Sequence, residues 1–163
     1  MNAKDAIRSS ANFSSMVLKA YISDLDDADL MRRPGDGCNH LAWQLGHLIS
    51  SEVHLLEQVA PGQGTVLPDG FAEAHSKEAC DNDDPAKFHG KQAYIDLFDK
   101  VRAASLAALD AYPPSELDNP APEDFRDFCP TKGDMFTLIA THPMMHAGQF
   151  VIVRRQLGKP ILM

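Results

Sequence analysis

The chain has 163 residues, 44% of them hydrophobic, with 23 acidic against 15 basic side chains and a formal net charge of −8. That length suits a single domain, 1–163, with a core burying roughly 70% of the unfolded chain's surface, and the apolar content excludes a disordered chain. The negative balance argues against a nucleic-acid or anionic-membrane partner, since either needs a basic patch and only Arg32-Arg33 and Arg154-Arg155 pair basic residues.

Apolar spacing predicts four helices and two long connections. The first spans about Ala3 to Ser23, with Ala6, Phe13, Met16, Val17, Ala20 and Tyr21 as its inward face. Asp26-Asp27, Pro34, Gly35 and Gly37 then break the chain. The second starts near Asn39, an N-cap type, and runs to about Ala60 before Pro61-Gly62, with Leu41, Leu45, Leu48, Leu55 and Val59 as its stripe. Residues 61–90 show no clear period and read as a solvated excursion, with room for a short helix near Phe71 to Ala79.

The third helix covers about Lys91 to Tyr112, with Tyr94, Phe98, Val101, Ser105, Ala108 and Leu109 inward, until Pro113-Pro114 stops it. Residues 113–130, rich in proline and carboxylates, read as a second surface excursion. Thr131 and Asp134 form a near capping box for the fourth helix, which runs to Leu157 before Gly158 and Pro160. No strand-like alternation and no internal repeat is present.

The fourth helix carries the chemistry. His142 and His146 are four residues apart, so they share a face at a spacing that lets two imidazoles grip one ion. Met135, Ile139, Val153 and Leu157 lie on the same line, which turns the pair inward. Pro143 lacks the N–H that would bond the Ile139 carbonyl. The apolar spacing continues in phase across it, which predicts a kinked helix rather than a break.

A third ligand would complete a metal site. The second helix offers His40, His47 and His54 in one line, each about 10.5 Å from the next, so only one can reach an ion held by the other two. Spacing alone does not choose among them. Their line runs beside Gln44, Ser51 and Gln58, on the more polar side, so His40 and His54 read as exposed.

The choice follows from a resemblance. Leu25-Asp26-Asp27-Ala28-Asp29-Leu30 with Arg33-Pro34, then Leu41-Ala42-Trp43-Gln44-Leu45-Gly46-His47-Leu48, resemble the first half of the DinB-like metalloprotein superfamily. His142-Pro143-Met144-Met145-His146-Ala147-Gly148-Gln149, then Arg154-Arg155-Gln156-Leu157-Gly158-Lys159-Pro160, resemble its second half. The resemblance implies His47, His142 and His146 as ligands of a divalent metal such as zinc or nickel. It also implies a four-helix bundle of up-down-down-up topology and frequent homodimers. The better-understood activity of that superfamily is transfer or isomerisation dependent on a low-molecular-weight thiol.

Three neutral imidazoles would leave an ion its full charge and at least one open position. The run lacks the Glu of H-E-x-x-H, which disfavours protease-type hydrolysis, and Glu52, Glu57 and the acids of 113–130 stand unranked as general bases. The expected function is a metal-dependent, thiol-dependent transferase or a hydrolase acting on a small molecule. The alternative is a non-catalytic metal-binding or stress-response protein with a structural ion; a further alternative leaves the histidines as packing residues.

The remaining residues get plainer readings. Trp43, Met144 and Met145 read as packing side chains, and His75 and His89 as solvent-exposed. Gly148 is expected to allow close helix approach and Gln149 to support a ligand. No stretch approaches about 18 apolar residues, and Met1-Asn2-Ala3-Lys4-Asp5 lacks the apolar run of a secretion signal. Cys38, Cys80 and Cys129, an odd set without C-x-x-C, suit free thiols in the cytoplasm.

Overall fold

Each apolar stripe of the sequence becomes a helix. The computed structural model describes residues 1–161, and its elements in chain order are α1 (Ala3–Ile22), α2 (Asp27–Leu30), α3 (Leu41–Val59), α4 (Phe71–Ala74), α5 (Lys91–Ala111) and α6 (Lys132–Gln156). Short 3₁₀ turns punctuate the connections, and no strand forms among the described residues. Asn2 and Asp5 box the start of α1 reciprocally, as Asp26 and Asp29 do for α2 and Thr131 and Asp134 for α6. Gly158 closes α6 at φ 68°, where its amide bonds the Arg155 carbonyl and Lys159 bonds that of Arg154.

Cross-helix contacts fix the directions of the four long helices. Ser14 of α1 meets Ala140 of α6, and Tyr21 meets Arg154, so these two helices run parallel. Gln44 of α3 meets His146, while Glu52 meets Arg102, which in turn reaches Ile139; α3 and α6 are antiparallel and α3 and α5 parallel. Lys19 pairs with Asp99 at 2.6 Å and Lys4 caps the Asp110 carbonyl, so α1 opposes α5. The bundle therefore runs up, down, down, up, and residues 61–90 must cross its full length because parallel neighbours cannot be joined by a tight turn.

Two apolar clusters fill the bundle. One gathers Leu18, Ile22, Leu45, Leu48, Phe98 and Phe150; the other Leu56, Leu109, Met135, Phe136 and Ile139. The α3 and α5 stripes are those the spacing predicts. The α1 face is so only in part: Val17 and Tyr21 are buried, but Phe13 and Met16 are half exposed, and Ser14 and Ser15 are buried in their place. The reason is polar, because each serine hydroxyl finds a backbone carbonyl and so can face inward at little cost.

The two connections are more structured than surface excursions. In 61–90, α4 and a turn at Lys77–Ala79 stand where the short helix was expected, and Phe71 and His75 are buried. In 113–130, Leu117, Ala121 and Cys129 pack into the second cluster. No helix among the described residues is long and apolar enough to cross a membrane. All three cysteines are free.

Candidate metal centre

His47, His142 and His146 converge where α3 faces α6, and one ring nitrogen from each lies within 4.8 Å of the others. Their ring centroids are 5.5 Å apart for His47–His142, 5.4 Å for His47–His146 and 5.0 Å for His142–His146. Helix α6 continues unbroken through Pro143, so both of its histidines stay on one face. Of the three candidates on α3, only His47 reaches the pair. His54 is exposed one helical stretch further on.

His40 departs from expectation. It is fully buried and is itself the N-cap of α3: Nδ1 accepts the Trp43 amide at 3.0 Å, so Nε2 carries the proton and donates to the Asn82 carbonyl. A histidine so committed ties the 76–84 segment to α3 and has no nitrogen left for a metal.

Tautomers at the triad follow from the same accounting. The Gln44 side-chain nitrogen donates to the Asn39 carbonyl at 2.7 Å, which can only accept. The Gln44 oxygen therefore faces His146 and accepts from Nδ1–H at 2.9 Å, leaving His146 Nε2 with its lone pair free. This support comes from Gln44 on α3, not from Gln149 as the sequence suggests. Gly148 faces outward with open space where a Cβ would stand, so it admits no close helix.

Burial holds all three rings neutral. It lowers the His47 pKa, lowers that of His142 to about 4 and that of His146 to about 3; repulsion from the neighbouring imidazoles adds to the last two. Neutral imidazole is the form that binds a metal. The donor set and its convergence fit a metal ion.

Around the triad stands a supporting layer that the sequence reading misses. Trp43 stacks on His47 with centroids 4.9 Å apart and planes 7° from parallel, and its Nε1–H donates to the Ser76 carbonyl. His75, read from sequence as exposed, is buried; its Nδ1 donates to the Phe71 carbonyl and its Nε2 accepts from the Tyr94 hydroxyl at 2.8 Å. Its ring lies against Gly46, where a Cβ would come within 2.0 Å. A glycine in mid-helix next to His47 is the one sequence signal that could have found it.

A recess of about 610 Å³ opens over His47 and His142, with Trp43, Leu55, Leu138 and Phe128 among its walls and Lys77 as its one Lys or Arg. Met145 also lines it and is two-thirds exposed, so it is not the packing side chain expected; Met144 too is exposed. Among the described residues no carboxylate lines the recess. Glu52 is buried against Arg102 and Glu57 accepts the Gly62 and Gly64 amides, so both are committed elsewhere.

An all-helical bundle with a three-histidine cluster between antiparallel helices, open on one side to a recess, defines a class of helical proteins able to hold a metal ion. Matched against protein families, residues 13–150 fit the DinB superfamily, and the chain belongs to it. No curated protein matches the chain.

Proposed function

We propose that His47, His142 and His146 bind one divalent ion and that the protein is a metal-dependent enzyme, a thiol-dependent transferase or a hydrolase acting on a small molecule. The observation that carries this reading is the convergence of three neutral imidazoles, two of them lining an open recess, with no fourth ligating side chain in the cluster among the described residues. A closed structural site takes four protein ligands, so three with an opening favour chemistry over scaffolding. A divalent ion held there supplies a Lewis-acid position that favours the deprotonated form of a thiol or a water.

The chain's own groups do the rest. Gln44 fixes the His146 tautomer, and Trp43 holds the His47 ring in plane. The apolar walls of the recess suit a compact, mainly apolar substrate and keep water from its body. Among the described residues no carboxylate lines those walls, so the reading places activation of the nucleophile at the ion itself. We further propose a cytoplasmic homodimer. Phe13 and Met16 of α1, and Met144 and Ile152 of the neighbouring α6, are exposed apolar side chains that a second copy would cover, and light scattering tests it.

The deciding experiment is metal content by mass spectrometry on untagged protein beside His146→Ala. About one equivalent per chain is expected, lost in the variant. Protein that carries no metal and takes up neither zinc nor nickel overturns the reading. Trp43 is the only tryptophan in the chain and lines the recess, so its fluorescence reports occupancy in a screen of low-molecular-weight thiols and small electrophiles.

A further inference from the structure

The buried Glu52–Arg102 pair stands apart from the chemistry above. It joins α3 to α5, with Arg102 Nη2 2.9 Å from Glu52 Oε2 and both side chains almost fully buried. Burial pushes the Glu52 carboxyl up while the guanidinium pulls it back. Replacing a buried ion pair by apolar side chains of equal volume is often neutral or stabilising, so stability is a weak account of such a pair.

Arg102 makes a second contact that does. Its Nη1 donates to the Ile139 carbonyl at 3.2 Å. In a regular helix that oxygen takes the amide of residue 143, and residue 143 is proline. One position on, the Ser14 hydroxyl lies 2.5 Å from the Ala140 carbonyl. The turn before Pro143 is thus met from outside by α5 and by α1. Ile139, Ala140 and Arg102 are all buried, so the freed carbonyl has no ready access to water in place of the guanidinium.

We propose that Arg102 is a positioning residue of the metal centre: anchored by Glu52, it takes the Ile139 carbonyl that Pro143 leaves free and holds the proline turn that sets His142 against His47. The inference rests on the metal-binding reading of the triad. The connection is short at both ends. Ile139 precedes His142 by three residues, one helical turn, and Glu52 follows His47 on α3 by five, about 7.5 Å along the axis. The guanidinium therefore links the two ligand-bearing helices about one turn from the ligands themselves.

The test titrates metal-free protein with cobalt(II) against a competing chelator, reading affinity and the visible absorption bands that report ligand geometry. Four proteins are compared: wild type, Glu52→Gln/Arg102→Met, Pro143→Ala and the triple variant. Removing both charges together avoids stranding one of them in the core. The expected result is a loss of about tenfold or more in affinity, with shifted bands, when the pair is removed beside Pro143. The same removal should cost no more than about twofold once Pro143→Ala returns an amide to the Ile139 carbonyl. Equal losses on both backgrounds, or none on either, overturn the proposal.

Should the double variant fail to fold, Arg102→Lys replaces it. That change keeps the charge beside Glu52, but a single ammonium lacks the fork that spans both partners, and the same pattern is expected. Wild-type protein that binds no cobalt, zinc or nickel overturns the metal-binding reading by itself. The positioning claim is then decided in metal-free protein by the ¹⁵N resonances of the His142 ring. These should move on loss of Arg102 only where Pro143 is present, and an unmoved ring overturns the claim.

Discussion

At the scale of single residues, the site works by restricting choice. Gln44 can present only its oxygen to His146 because its nitrogen is spent on the Asn39 carbonyl. Gln44→Ala should therefore weaken zinc affinity by about 10- to 100-fold with little change in fold, measured by competition with a chromogenic chelator. Gly46 makes the opposite case, where space rather than polarity decides. The His75 ring is pinned by the Phe71 carbonyl and the Tyr94 hydroxyl and cannot retreat from an added methyl group. Gly46→Ala should cost about 1–3 kcal/mol or more in urea denaturation, although alanine is the better helix former. Stability unchanged or raised would show that His75 has room to move.

At the scale of elements, helix ends and stripes were readable because their causes are local. The boxes at Thr131–Asp134 and the Gly158 terminus follow from which side chains satisfy free amides and carbonyls within a few residues. The α1 face and the Asn39 start were misread because distant partners decide them: Ser14 faces inward for the Ala140 carbonyl, and His40 rather than Asn39 caps α3. Pro143 belongs to this scale as well. Pro143→Ala should raise stability by about 1–3 kcal/mol by restoring a ladder bond, yet weaken metal affinity by reshaping the turn that carries His142. Thermal melts and metal titration of the same sample check both signs. A variant that gains stability and keeps its affinity would remove any role for the proline in the site.

At the scale of the whole molecule, the buried histidines make stability depend on pH. His75, His142 and His146 hold folded-state pKa values of about 4, 4 and 3 because burial opposes their charging. Unfolded, each takes a proton near pH 6.5. Between those limits the unfolded chain binds more protons, so stability falls as pH drops below about 6.5 and is unaffected by these groups above it. Acid titration of metal-free protein by circular dichroism should show a loss on the order of several kcal/mol by about pH 4.5. A flat profile from pH 7 to 4.5 would contradict the buried, neutral state of the triad. Bound metal competes for the same nitrogens, so the loaded protein should hold out to lower pH than the metal-free one at equal concentration, down to the point of proton-driven release.

The sequence by itself determined the four long helices, their punctuation and the one-turn pairing of His142 with His146, because periodicity, caps and prolines act over a few residues. It also carried the family motifs around His47, by likeness rather than by physics. Only the tertiary structure decided which histidine on α3 faces that pair, since three lie in line and the register between antiparallel helices selects one. It alone showed that His40 and His75 are buried supports, that Gln44 fixes His146, and that Arg102 meets the carbonyl Pro143 leaves open. Those partners lie between 19 and 102 positions apart where they join different elements, a separation over which no local pattern carries information.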